Sequence, residues 1–120
     1  LPILTISPSL QLIARDHSRY MAKNGYLGHE QSGLDFKTRI EKARLKEWRE
    51  VGENVGRSRG YQNNADTIVS GWMESKHNRE NILTAGFDMT GIGTARADDG
   101  TLYATQVFMG SENRHDGPTR

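Results

Sequence analysis

"TGIGTARADDGTLYATQVFM", residues 90–109, decides how the rest of the chain is read. Two runs able to form strands, "TGIGTARA" and "TLYATQVFM", flank Asp98-Asp99-Gly100. Asp-Gly suits a type I′ turn, so the stretch predicts an antiparallel hairpin. Everything upstream with a clear period is helical. Helices first and a hairpin last predict a small sheet covered by helices, an α+β or layered architecture.

The strongest helical stretch is "SPSLQLIARDHSRYMAKNG", residues 7–25. Ser7 suits the cap and Pro8 the first helical position. Leu10, Ile13, Ala14, His17 and Met21 follow a helical stripe, and Asn24-Gly25 ends it. His17, on that apolar stripe, reads as a buried histidine with a hydrogen-bond partner. A second helix is predicted from Asp35, its cap, to Arg44, with Phe36, Ile40 and Ala43 on one face. "LKEWREVGENVG" predicts a short strand around Trp48, Val51 and Val55, and "RSRGYQNNA" a loop. Asn64 is the expected cap of a third helix, Ala65 to Ser75, with Ile68, Val69, Trp72 and Met73 as its apolar face. "HNRENIL" reads as a helical turn. The polar "ENRHDGPTR" reads as a frayed tail, which gives one domain over residues 1–111 and a tail over 112–120.

Composition narrows the function. The chain has 120 residues, enough for one domain with one core. Leu, Ile, Val and Phe make up about a fifth of it, a lean core, but a net charge of +1 argues for a folded chain. Sixteen basic against 15 acidic residues give no field for nucleic acid. The basic stretch "KTRIEKARLKEWRE" interleaves three glutamates and reads as a solvated helix face. No apolar run approaches the roughly 20 residues that span a bilayer. Cysteine is absent, which excludes thiol nucleophiles, disulfides and thiolate metal sites. The chain starts at Leu1 rather than Met and reads as a trimmed fragment; a removed export signal would leave no trace.

Several sites with known signatures are missing. There is no phosphate loop, no Gly-x-Ser-x-Gly elbow and no His-Glu-x-x-His helix. Gly91 and Gly93 precede a hairpin rather than a helix N-terminus, so they form no dinucleotide fingerprint. What remains is a set of polar residues in separate segments. His29 lies in "GYLGHEQSG", Glu53 in "GEN", and Glu74, Ser75 and His77 end the third helix. Histidine and carboxylate together can bind a divalent metal or share a proton.

The order of the pieces "HSRYMA", "GYLGHEQSG", "GENVG", "VSGWMESKHNRENIL", "FDMTGIGTA" and "YATQVF" resembles the CAP superfamily. That superfamily groups cysteine-rich secretory, antigen-five and plant pathogenesis-related proteins. The resemblance covers residues 7–110, and the cysteine-free form is similar to the bacterial, SCP-like branch. It implies an α-β-α sandwich with a small antiparallel sheet, and an extracellular or cell-envelope location.

The resemblance also implies a cleft. Animal and plant members carry a His-Glu-Glu-His tetrad that binds a divalent metal in some of them. Carried over, its first two members are His29 and Glu53. The second glutamate falls on Ser75, with Glu74 one place off and turned by about 100°. The last histidine falls on Tyr103. Bacterial members usually have a histidine directly before the arginine that is Arg79 here; Asn78 stands there, and His77 is one place earlier. The expected cleft is therefore His29, Glu53, Ser75, His77 and Tyr103. A metal such as zinc would rest on His29, Glu53 and His77, a poor cage for an ion that normally takes three or four protein ligands. The leading function is a monomeric binding module for a small ligand, lipid, peptide or envelope component, or for a weakly held divalent metal. The alternatives are a metal-assisted hydrolase, with Glu53 as general base and His29 on the metal, and a structural interaction domain with an inert cleft.

Overall fold

The chain enters the fold through a short strand, β1 (Thr5–Ile6), and then the helix that the sequence marks most clearly, α1 (Pro8–Asn24). Ser7 caps α1 by accepting a hydrogen bond from the Leu10 N–H at 3.3 Å, and Gly25 closes it with φ of 59°. The computed structural model describes residues 4–45, 48–84 and 86–111, so the tail expected at 112–120 lies outside the described residues. Along α1, Leu10, Ala14, His17 and Met21 are fully buried, as the stripe predicts. Ser18, outside the predicted stripe, is buried with them. Its hydroxyl donates to the Gly93 carbonyl at 2.8 Å and pairs with the Thr105 hydroxyl at 2.8 Å.

After α1 come α2 (Phe36–Lys42), β2 (Trp48–Ser58), α3 (Asn64–Glu74), α4 (Lys76–Leu83), β3 (Met89–Arg96) and β4 (Leu102–Ser111). The sheet order is β1-β3-β4-β2. β3, β4 and β2 are antiparallel, while the two-residue β1 pairs parallel to β3 and was not foreseen. In the register, Glu53 faces Val107 and Arg57 faces Tyr103. Because side chains alternate across a strand, Val51, Glu53, Val55, Tyr103, Thr105, Val107, Gly91 and Gly93 share one face.

That face carries α1 and α2. Leu10, Ala14, Ile40, Val107 and Met109 form its core, with Phe36, Trp48, Val51 and Met89 at the margin. A Cβ at Gly91 would overlap the backbone of Leu10 and Gln11, and one at Gly93 the backbone of Arg15. Bare backbone there lets the helix lie directly on the sheet. The opposite face carries α3 and α4, where Ile68 and Trp72 cover Ala104, with Ile82 and Leu102 at the margin. The result is the expected layering of helices on both faces of a small sheet.

Local expectations changed in several places. The hairpin turn is not type I′. Gly100 (φ 92°) has positive φ but Asp99 does not. The Gly100 N–H bonds the Ala97 carbonyl and the Ala97 N–H bonds the Thr101 carbonyl, which makes a three-residue loop ending in a left-handed glycine. Two consecutive positive φ values, as type I′ requires, occur instead at Ser32 and Gly33, between the mutually bonded Gln31 and Leu34. The third helix is capped by Asn63, whose side chain accepts from the Asp66 N–H; Asn64 instead accepts from the Ser58 hydroxyl and the Tyr61 N–H. Val69 and Met73, expected in that helix's apolar face, are exposed. Strand β2 runs on through Arg57 and Ser58, which were expected in a loop. The stretch "KTRIEKARLKEWRE" is not one solvated helix face. Its helix ends at Lys42, the chain joins the sheet at Trp48, and Arg39 is buried.

Candidate functional site

Strand β2 is an edge of the sheet, and its "GEN" tripeptide sends three consecutive residues to different tasks. Gly52 leaves room on the α4 face for Asn81 and Phe87. Glu53 turns to the α1 and α2 face. Asn54 turns back and is fully buried; its amide donates to the Asn78 carbonyl at 3.0 Å and its oxygen accepts from the Asn81 amide at 2.9 Å. Asn81 also donates to the Glu53 carbonyl at 3.3 Å, and the Trp72 indole donates to the Val55 carbonyl at 2.9 Å. These side chains occupy carbonyls that an edge strand would otherwise present to another chain.

The Glu53 side chain has no exposed surface. Its Oε1 accepts from His29 Nδ1 at 2.8 Å and from Arg39 Nη1 at 3.0 Å. Its Oε2 lies 2.9 Å from the same guanidinium nitrogen, out of line for a hydrogen bond, and Oε2 and Arg39 Nη2 are the buried side-chain atoms without one among the described residues. Arg39 Nη1 also donates to the His29 carbonyl at 2.8 Å. A buried carboxylate is tolerated only when paired and hydrogen-bonded, and Arg39 supplies that pairing.

The segment 25–34 is held to present His29 in this position. His17, fully buried, reaches the Gly28 carbonyl at 2.6 Å and the Gln31 amide oxygen at 2.9 Å, which is the buried and partnered role that the sequence predicts. Beyond the Ser32-Gly33 turn, Asp35 caps α2 by accepting from the Thr38 N–H at 2.9 Å. Hydrogen bonds from Thr38 hold the Asp35 carboxyl below the ordinary carboxylate range, with Lys37 adding a smaller pull.

Around this network lies an open cleft of about 430 Å³. His29, Asp35, Phe36 and Lys37 line it from one side of β2, and His77 and Asn81 from the other. His77 and Asn81 are four residues apart on α4 and so share a helix face, which explains why His77 reaches the cleft although Asn78 holds the position expected for histidine. His77 makes no hydrogen bond or ion pair with His29 or Glu53 among the described residues.

Three of the five predicted residues therefore meet at this cleft: His29, Glu53 and His77. Ser75 and Tyr103 are not brought to it. Ser75 forms the joint between α3 and α4, where its N–H bonds the Gly71 carbonyl. Tyr103 lies four residues along β4 from Val107, the partner of Glu53, about 13 Å away by strand rise. Arg39, Asn54, Asn81 and Phe36 were missed; only "GEN" and "ENIL" carried a hint of the two asparagines.

The residues present do not fit a zinc site. Among the described residues no group of three or more His, Asp or Glu could hold a metal ion. The Glu53 carboxylate already carries a guanidinium, whose charge repels a cation at the same oxygens. Nor is Glu53 placed as a general base: it is sealed from solvent, and its Oε1 already accepts two hydrogen bonds.

The profile of the CAP, cysteine-rich secretory protein family matches residues 1–108. The chain belongs to that family. The uncharacterized protein YkwD of Bacillus subtilis is 29% identical over 107 residues, which is 89% of this chain and 39% of that protein. This CAP domain thus spans well under half the length of that relative. Among solved structures, an extracellular protein of Bacillus anthracis containing an SCP domain is 25% identical, with a TM-score of 0.74 over 92% of this chain and 35% of its own. An outer surface protein of Borrelia burgdorferi shares the fold at 18% identity, with a TM-score of 0.80 over 92% of this chain and 80% of its own. Among the described residues, no helix is long and apolar enough to cross a membrane.

Proposed function

We propose that this CAP domain is a binding module that works outside the cytoplasm, and that the β2-edge cleft receives a short peptide or similar small polar ligand. The observation that carries the reading is the Arg39–Glu53–His29 network. It fixes one wall of an open cleft from beneath while leaving His29 half exposed at the rim, its side chain 48% accessible. His29 Nε2 has no partner among the described residues and is free to bond a ligand. Phe36 and Val51 add an apolar surface, and Lys37, His77 and Asn81 add polar groups. Such a mix of apolar wall and few convergent polar groups is what small-ligand sites use. The relatives described as extracellular or outer surface proteins support a location outside the cytoplasm.

The test is a titration of the domain with a pooled set of short peptides, followed through histidine ring and backbone NMR signals. The expected result is movement of His29, His77 and Asn81 with Tyr103 unmoved, and loss of the response in Phe36→Ala. A library that leaves His29 and His77 unmoved would return the cleft to a purely structural role.

A further inference from the structure

A second site emerges at the Ser58 and Leu102 end of the β2–β4 pair, four residues along β4 from the partner of Glu53. Tyr103 is only 4% exposed, yet its hydroxyl has no hydrogen-bond partner among the described residues. It is also absent from the sealed, unbonded atoms of the core, so the oxygen reaches the surface. A tyrosine buried to this degree normally gives its hydroxyl a partner. Tyr103 borders two adjoining depressions, of about 540 and 410 Å³, which share Gly25, Asp99 and Tyr103.

The walls of these depressions are basic. Arg19 and Lys23, four residues apart on α1, stand on one side with Arg96; Arg57 and Arg59 stand on the other. Arg19, Lys23 and Arg57 make no ion pair or hydrogen bond among the described residues. Arg96 donates to the Gly100 carbonyl at 2.8 Å, and Arg59 pairs with Asp99 at 3.3 Å. Two acids oppose them. Asp99 is already engaged, its Oδ1 accepting from the Thr101 N–H at 2.9 Å; hydrogen bonds from Thr101 hold its carboxyl below the ordinary range. Asp98 remains as the opposing charge. The corner thus carries an excess of three positive charges in a chain whose whole net charge is +1.

We propose that this corner is an oxyanion site that takes the phosphate group of a small soluble ester, with the Tyr103 hydroxyl as the fixed donor and Arg19, Lys23 and Arg57 as the charge. Planar guanidinium groups and an O–H donor match phosphate oxygens, and charge-assisted bonds of this kind are the strong ones. The site is separate from the β2-edge cleft and does not depend on its function.

Titration of the 120-residue chain with glycerol phosphate, read by amide NMR, tests it. Saturable shifts are expected at Gly25 and at residues 57–59 and 95–101, with His29 unmoved. Tyr103→Phe should weaken binding about tenfold or more, the worth of one hydrogen bond to a charged group. It should leave the melting temperature unchanged, because the hydroxyl holds nothing in the protein. The double variant Arg19→Gln/Lys23→Gln should weaken binding similarly, and Asp98→Asn should tighten it. Native affinity in Tyr103→Phe would overturn the proposal. So would identical shifts with sodium chloride at matched ionic strength, or binding to phosphatidylglycerol vesicles without binding to glycerol phosphate.

Discussion

On the α1 face of the sheet, Gly91 and Gly93 meet helix backbone; on the α3 and α4 face, Gly52 and Gly56 meet the side chains of Asn81, Phe87, Ile68 and Trp72. The same residue type serves two kinds of contact. Where backbone meets backbone, neither partner can turn aside. Where a glycine receives the end of a side chain, a rotamer change can relieve a new methyl group. The α1 face also holds the buried Arg39–Glu53 pair, whose geometry is fixed by charge as well as by space. One face is therefore rigidly specified and the other adaptable.

The largest expected effect is at the charge pair. Arg39→Ala leaves Glu53 buried without its guanidinium and with only the half-exposed His29 as a partner, and should cost about 3–5 kcal/mol in urea unfolding. Replacing Glu53 as well, with Gln, should recover part of that loss. If the single variant unfolds like the native chain, the pair does not anchor this face. Next comes the contrast between glycines. Gly93→Ala must move α1 off the sheet and should cost about 1–3 kcal/mol or more. Gly52→Ala meets the Asn81 side-chain oxygen at 2.9 Å and a Phe87 ring carbon at 3.1 Å, and should cost less because both can shift. Equal losses of melting temperature in the two variants would erase the difference between the faces. The smallest effect is at the rim. His29→Ala removes one half-exposed hydrogen bond to Glu53 and should cost about 0.5–1.5 kcal/mol. A loss as large as that of Arg39→Ala would make His29 part of the rigid core.

Much of the fold was legible because it is written in neighbouring residues. Ser7, Pro8 and Gly25 bound α1, Asp35 caps α2, and the 90–109 stretch folds as a hairpin. Errors arose where two equivalent residues stood side by side. Asn63 and Asn64 are both good caps, and only the path of β2 decides between them, since Ser58 and Tyr61 take the side chain of Asn64. At the hairpin, the β3–β4 register runs to Arg96 opposite Leu102, and the Ala97 and Thr101 bonds leave a three-residue loop in which only Gly100 takes positive φ.

The candidate site was half legible. Its members come from four segments, and family resemblance, not periodicity, joined His29 to Glu53. Arg39 was hidden because an arginine among lysines and glutamates looks like every other solvated charge. Its burial follows from a glutamate 14 positions later in sequence. Tyr103 was assigned to the Glu53 cleft, four residues away along β4, because a motif gives order along the chain but not distance across it.

The sequence by itself determined the limits of α1, the cap of α2, the hairpin and membership of the CAP family. These depend on local conformational preference and on residue order. Only the tertiary structure decided that Arg39 neutralises Glu53, that His77 shares the cleft and that Tyr103 stands apart among arginines. Charge pairing and burial depend on distances in space, and those are set by the register of β2 on β4 and by the helices laid across them.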